Sequence, residues 1–472
     1  MSPGRVRYFV PLAAEAPVIE KENYSRIVWA LAWPAVALNS LQVLNTLLDR
    51  FFIGHLHTPA LTAHGASTNV MFLVFSLAAS LGTGASAIVS RAFGASDPEE
   101  YQRGAQESLG LAIVIGFVVS AITALVAGWT AHALLPARDI VAQKEMTSFV
   151  VIYAAGLLPI FVIQTLAGSL RGVGDTKSPM VISGIQIAIH MLLNVLLVPR
   201  IGLSGAATAL SVSAWLSAIG YVLYARHTAL GHLNVFRVPH WDWGKRILRI
   251  AVPAATMSTL RTLSLTAFTL VLKQVPNASD AIAAMSTSFA VESIMFMPAF
   301  GLSMAAGALV GQSLGMEKPE RAERIGWVAA HYGALVTIVL VTPVYLLAPW
   351  IAGGLVDHKP AITQEATRLL RYLCVSEFLF AYAMVFIGAM QGAGDIKRPL
   401  WISVFALWGL RVPLAVVLSL PSGFALAGML TLPVAFGMGA NGAWLAMAFT
   451  QGVQGILSAI AFKQGRWKYA KV

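Results

Sequence analysis

The sequence predicts an all-α integral membrane protein: twelve transmembrane helices in two pseudo-symmetric, parallel six-helix bundles. Three observations carry that prediction. The 472 residues are 57% hydrophobic and only 11% charged, with a mean hydropathy of +0.73, too few charges to cover a soluble protein of this length. The apolar residues fall in continuous runs long enough to cross hydrocarbon as helices, not in the weak alternation of a barrel. The chain also repeats itself at half its length, at offsets of 220 and 221 residues.

In order, the candidate spans cover residues 27–50, 62–91, 105–135, 147–170, 178–198, 203–226, 246–272, 281–311, 322–350, 365–390, 398–420 and 441–463. Several exceed the roughly 20 residues that cross a bilayer, so those helices tilt or protrude. The first run lacks a small-residue cleavage site and flows into further spans, which predicts a retained helix and not a removable signal. An even count puts both termini on one side. Connections on that side carry 22 Lys and Arg and the opposite ones carry six, which predicts a multi-pass cell-membrane protein with both ends in the cytoplasm. The net charge of +11 thus reads as topology and not as nucleic-acid binding. A single Cys374 leaves no disulfide framework or thiolate metal site, and its simplest reading is a small buried side chain.

The duplication is best seen in "AGSLRGVGDTKSPMVIS" (167–183) and "IGAMQGAGDIKRPLWIS" (387–403), where eight of 16 positions from Gly168 to Ser183 are identical at an offset of 220. Apolar bias alone does not place Gly, Asp, Lys and Pro in register. "AIVSRAFGASDPEEYQR" (87–103) matches "ALVGQSLGMEKPERAER" (308–324) at an offset of 221, and "GLSGAATAL" (202–210) resembles "GANGAWLAM" (439–447) at 237. The growth in offset marks "PSGFALAGMLTLPVAFGMGANG" (421–442) as an insertion, either a broken or re-entrant element or a lipid-grazing external loop. Six helices per half preserve orientation, so the halves, 1–236 with the interlobe linker and 237–472, are expected as parallel repeats around a shared cleft, the architecture of alternating access. The shared G-x-G-D-x-K-x-P turns lack a preceding strand and the Gly spacing of a nucleotide loop. Gly for a tight turn, Asp as a cap and Pro in the first helical turn explain them structurally.

Polar residues inside the spans point to the chemistry. Asn39, Gln42, Asn45 and Asp49 recur at three, three and four residues and share one helix face, and Pro34 makes that helix easy to bend. Asp49 is either an interfacial anchor beside Arg50 or a cation or proton site whose carboxylate binds and releases the ion as access alternates. Partners in the same half are Gln186, His190 and Asn194 at four-residue steps, with Gln164 and Asn69, forming a buried network or offering ligands to an ion. In the second half Glu292 and Glu377 with Arg261 invite a buried ion pair that leaves one acid free. Met257, Phe268, Phe289 and Phe296 supply apolar surface near them, as ordinary packing or as the wall of a chamber for bulky cations.

These stretches, "LLDRFFIGHL", "GASAIVSRAFGASDPEE", "SLRGVGDTKSPM", "ESIMFMPAFGLSMAAGALVGQSLG" and "MQGAGDIKRP", in this order and across all twelve spans, resemble the multidrug and toxic compound extrusion (MATE) family. The resemblance implies a secondary active antiporter, not an enzyme, that exchanges H⁺ or Na⁺ for organic cations or other small amphipathic compounds, with no cofactor beyond the coupling ion. It places Asp49 at the family's first-helix coupling acid, the metal ligand if coupling is to sodium. Asn194 matches a fifth-helix Asn, but the acid often found shortly after it is Val198 here. Some branches carry a seventh-helix acid near the position of Arg261. Glu292 fits the family's "ES-x-x-F-M-P" pattern, and Glu377 lies near the tenth-helix acid. A monomer in contact with membrane lipid is expected. A lipid-linked precursor flippase is the alternative transporter, and should line its cleft with several basic residues. A scaffold or receptor leaves the duplication and the buried acids without a purpose.

Overall fold

The computed structural model describes residues 23–356, 359–423, 425–426, 430–431 and 435–470. The charged N-terminal residues before Asn23 and the side chain of Arg50 lie outside the described residues. The first bundle comprises α1 (Tyr24–Gly54), α2 (Thr58–Gly94), α3 (Pro98–Leu134), α4 (Ile140–Ala155), α5 (Leu157–Gly172), α6 (Lys177–Ile201) and α7 (Leu203–Ala225). The second comprises α8 (Trp241–Leu272), α9 (Ala278–Gly315), α10 (Pro319–Leu355), α11 (Pro360–Gly392), α12 (Lys397–Val404), a π-helical stretch (Phe405–Arg411), α13 (Val412–Ser419) and α14 (Ala440–Lys463). Among the described residues eleven helices are long and apolar enough to span a membrane, counting Lys397–Ser419 as one, and α4 with α5, bent by 46°, makes a twelfth if the pair is one span.

That bend departs from the unbroken helix expected over 147–170, and its cause is local. Pro159 has no N–H to offer the Ala155 carbonyl, and Gly156 lets Ser211 of α7 approach so closely that an added Cβ would sit 2.7 Å from its Oγ. The freed carbonyls are not orphaned. Trp215 Nε1 donates to Ala155 O at 2.9 Å, Ser211 Oγ to Ile152 O at 2.9 Å, and Ser120 Oγ to Ala154 O. In lipid, a helix can break only where neighbours supply such donors. The π-helical stretch two residues before Pro413 is the second departure. There Trp408 Nε1 donates to Leu260 O at 3.0 Å and Ser264 Oγ to Leu407 O at 3.3 Å, tying the widened turn to α8.

The repeated turns have matching geometry. Gly174 and Gly394 both have φ of 87°, a region closed to most L-residues. Asp175 N donates to Leu170 O and Asp395 N to Met390 O, each at 2.9 Å. Asp175 Oδ1 then accepts from Ser178 N at 2.9 Å and Asp395 Oδ1 from Arg398 N at 3.5 Å, so both acids cap the following helix. The 421–442 segment is a connection as far as Gly439, among the described residues, and its last three residues open α14. Ala425–Leu426 pairs with Leu430–Thr431, and the returning strand donates from Phe436, Gly437, Met438 and Gly439 to the last carbonyls of span eleven at 2.8–3.0 Å.

The bundles meet where α2 crosses α9. A Cβ on Gly94 would lie 2.0 Å from Gln312 O, and one on Gly315 would lie 2.0 Å from Arg91 O. The two contacts are the same contact seen from each half, since both residue pairs are 221 apart, as a two-fold axis between the helices requires. Gln312 Nε2 donates to Gly172 O at 2.8 Å, and Arg91 Nη1 to Ala393 O at 3.4 Å and Ala470 O at 2.5 Å, all near the end that carries the termini. Two helices change partners along their length. The start of α1 packs Val28 and Ala32 into the second bundle, and its far end turns to α6. The start of α8 packs Trp243, Ile247 and Ala251 into the first bundle, and its far end packs Phe268 into the second. Each carries a proline, Pro34 and Pro253, near the changeover.

Candidate functional site: two polar clusters inside the bundles

The first cluster lies between α1 and α6. Asn45 and Asp49 are one turn apart on α1, as are His190 and Asn194 on α6, so four side chains face one another as a ring. Asn194 Nδ2 donates to Asp49 Oδ1 at 2.7 Å, and Asn45 Nδ2 to Asp49 Oδ2 at 3.4 Å. His190 Nδ1 is 3.1 Å from Asn45 Oδ1, and its Nε2 is 3.3 Å from Asn194 Nδ2. The donor inventory fixes the protons: Nε2 accepts from the Asn194 amide, so Nδ1 carries the hydrogen and donates to Asn45. In this neutral-imidazole arrangement both amides donate to the carboxylate, and the histidine donates to Asn45 Oδ1. His190 Nε2 is also 3.6 Å from Asp49 Oδ1, close enough to pair with it when the ring is protonated; the histidine is buried and the Asp49 side chain is 22% exposed. The one acceptor left over is Asn194 Oδ1, buried without a partner.

The remaining first-half candidates stay outside the ring. Asn39 turns to the other side, donating to Ala35 O at 2.7 Å and lying 3.8 Å from the Met304 sulfur of α9. Gln42, Gln164 and Gln186 are half-buried and make no side-chain hydrogen bond among the described residues, and Asn69 is exposed. Helical spacing put these groups on plausible faces; which face met which helix was decided by packing. Among the described residues no group of three or more His, Cys, Asp or Glu is placed to hold a metal ion. An ion at the ring would have Asp49 and the spare Asn194 oxygen as protein ligands.

The second cluster is larger and built differently. Glu292 on α9 accepts from Gln451 Nε2 of α14 at 3.0 Å, and Gln451 Oε1 accepts from Ser376 Oγ of α11 at 2.6 Å. Glu377 is 1% exposed, and its Oε2 has no hydrogen-bond partner. Arg261 does not form the expected buried ion pair: no carboxylate lies within 4.0 Å of it among the described residues, and its guanidinium sits 5.4 Å from the centre of the Phe380 ring. It stays within electrostatic reach of both acids. Phe268 is a correction as well, being fully buried against Trp444 with ring centres 6.3 Å apart, and Phe289 packs against that same core. Met257 and Phe296 do gather beside Phe380 and Met384.

Arg411, which the sequence reading passed over, is the fourth charge of this cluster. It is buried in the π-helical stretch, donates from Nε to Thr450 Oγ1 at 3.0 Å, and lies within reach of Glu292 and Arg261. A charged residue in the apolar run "ALWGLRVPLAV" carries the same signal that singled out Arg261. The widened turn aims it inward.

With this geometry in hand, the comparisons are informative. The MatE family profile matches residues 34–196 and again 253–417, well over half of the chain and once per bundle. The chain is 26% identical over 469 residues to the "Probable multidrug resistance protein NorM" of Thermotoga maritima, covering 97% of this chain and 95% of that one. It is 25% identical over 422 residues to the "Probable multidrug resistance protein YoeA" of Bacillus subtilis, covering 86% and 90%. Among solved structures, a MOP-superfamily transporter from Pyrococcus furiosus, described as having a binding pocket of reverse polarity that suggests a different function, superposes with a TM-score of 0.84 at 20% identity over 93% of this chain and 95% of that one. An outward-facing MATE-family multidrug resistance transporter gives 0.83 at 19% identity over 94% and 95%. The duplicated bundles and the two matches to one profile lead to the same conclusion: the chain belongs to the MatE family, a multi-pass membrane transport protein and not an enzyme.

Proposed function

We propose that this protein is an antiporter that exports organic cations or other small amphipathic compounds in exchange for H⁺ or Na⁺, with Asp49 as the coupling group. The observation that carries this reading is the ring of donors converging on one part-exposed carboxylate between α1 and α6. As an anion, Asp49 accepts two amide N–H bonds; hydrogen bonds to a charged group are worth about 1.5–3 kcal/mol each. Protonation turns one of its oxygens into a donor facing a donor, so Asn45 or Asn194 must let go and α1 must shift against α6. Pro34 lies within the stretch of α1, from Val28 to Asn39, that packs on the second bundle, so a change at Asp49 can be passed to the lobe contact as a bend. Transport then follows if the two states differ in substrate affinity; a tight site alone moves nothing uphill.

A proton is the ion this arrangement favours, because Asp49 and the spare Asn194 oxygen are few ligands for a metal and two amides already bond the carboxylate. We take 1–236 and 237–472 as the two lobes, a monomer as the working unit, and the terminus end as cytoplasmic, so that the α2–α9 crossing closes the inner side. Purified protein in proteoliposomes with independently imposed H⁺ and Na⁺ gradients tests the reading. Efflux of a fluorescent organic cation driven by a proton gradient is expected, and flux indifferent to both gradients would falsify it. The flippase alternative asks for a basic cleft; Arg261 and Arg411 are balanced by Glu292 and Glu377, which does not favour a polyanionic headgroup.

A further inference from the structure

The segment that joins the bundles is pinned to the first of them. Its Leu230 and Leu233 are buried in the core beside α3. Gln106 of α3 holds Asn234 by both backbone groups, Nε2 donating to Asn234 O at 2.8 Å and Oε1 accepting from Asn234 N at 2.7 Å. The buried Glu107 accepts from His240 N at 2.6 Å, lies 2.8 Å from His240 Nδ1, and has Arg237 Nη2 at 3.6 Å. Gly110 lets the chain come this close, since a Cβ there would lie 2.9 Å from Arg237 O. Arg237 turns inward to Glu107, while Phe236, Val238 and Trp241 face out, 90%, 78% and 66% exposed. Three large apolar side chains held outward on so firmly fixed a segment call for a partner.

Their depth says what covers them. Beyond Gly110 the same face of α3 carries the exposed Val114, Phe117, Val118 and Leu125, an apolar stripe open to lipid, so the segment crosses α3 one turn before hydrocarbon begins. Gly244 lies beside Leu111, which puts the first turns of α8 at the same level. The outward face of α8 reads Trp241, Lys245 and Arg249 and then Val252, Leu263 and Leu270, all exposed. Aromatic and basic side chains at the edge of an apolar stripe mark the headgroup layer. Charge narrows the partner further. From Arg226 to Arg249 there are five Lys and Arg and one acid, Asp242, besides the histidines. Arg226 and Arg249 pair with no carboxylate among the described residues, and Lys245 reaches only Asp242, at 3.9 Å with both side chains exposed. Zwitterionic headgroups offer such a cluster no net attraction, whereas anionic ones do.

We infer that the interlobe segment and the first turns of α8 form a docking site for anionic phospholipid in the leaflet on the terminus side. Phe236, Val238 and Trp241 enter the boundary between headgroups and acyl chains, and Lys245 and Arg249 meet the lipid phosphates. The test is native mass spectrometry of the full chain in neutral detergent, titrated with phosphatidylglycerol or with phosphatidylcholine of the same acyl chains, reading the apparent Kd of the tightest-bound lipid. Phosphatidylglycerol should bind at least about tenfold more tightly, since each cation near an anionic surface contributes about fivefold. Lys245→Gln with Arg249→Gln should bring that preference close to one. Lys463→Gln with Arg466→Gln, which removes two exposed cations from the tail on the same side, should leave it intact. Phe236→Ser with Trp241→Ser should weaken both lipids and keep their ratio. All variants are first checked for a monodisperse, folded elution profile. Equal binding of the two lipids by the parent protein, a preference that survives Lys245→Gln with Arg249→Gln, equal loss in the tail variant, undiminished binding in the Phe236 and Trp241 variant, or displacement of the lipid by inorganic phosphate overturns the inference.

Discussion

The two polar clusters occupy related halves of a duplicated protein and have almost nothing in common. The first is one acid between two helices, accepting from the amides of Asn45 and Asn194, with His190 bonded to Asn45 behind them. The second spreads two acids and two arginines over α8, α9, α11 and the π-helical stretch, and leaves Arg261 and one oxygen of Glu377 without hydrogen-bond partners. The turns between helices, by contrast, repeat to within a few tenths of an ångström in their backbone bonds. Duplication preserved the frame because a tight turn admits few sequences, and the membrane interior diverged because it is where work is divided. One cluster holds a single acid on neutral donors, and the other gathers charges of both signs from four elements.

That contrast can be broken by experiment. The largest effect is expected at Asp49: Asp49→Asn should abolish gradient-driven efflux in proteoliposomes while the protein still elutes as a folded monodisperse species, and full flux would end its assignment. Next, Asn194→Ala removes the shortest bond of the ring and one of its two amides. It should lower gradient-driven flux by roughly tenfold, the weight of one charged hydrogen bond, with the pH profile of flux displaced, whereas a purely structural role would lower melting temperature without moving that profile. Glu377→Gln should change stability by under about 1 kcal/mol or raise it, since it removes a buried charge with an unpaired oxygen; a loss above about 3 kcal/mol in thermal unfolding would show that Glu377 is a structural counter-ion. The smallest effects are expected in the turns. Asp175→Ala and Asp395→Ala should each cost about 1 kcal/mol, and a large disparity between them in melting temperature would mean the two caps are not equivalent.

Much of this was readable beforehand, and the limits have physical causes. Twelve spans follow from hydrophobic length, and the repeat from Gly, Asp and Pro in register. The members of the first ring followed from four-residue spacing on two helices. Spacing names a face but not the neighbour it meets, which is why Gln42, Gln164 and Gln186 remained candidates until packing left them aside. The break at Gly156 has a local mark in Pro159, but the donors that let it stand, on Ser120, Ser211 and Trp215, are distant in sequence. The missing partner of Arg261 was hidden for the converse reason: a count of opposite charges in nearby spans suggests a bond, and only geometry shows that none is made.

The α2–α9 crossing has one more implication. Where Gly94 and Gly315 meet the opposing backbone, neither residue has a side chain to interlock with the other helix. A latch of interdigitated side chains must re-sort its rotamers each time it opens. At those two points bare chain rests on bare chain, and beside them the Arg91 and Gln312 side chains reach across to carbonyls of the other bundle. A methyl group introduced at either spot would therefore act as a wedge between the two helices.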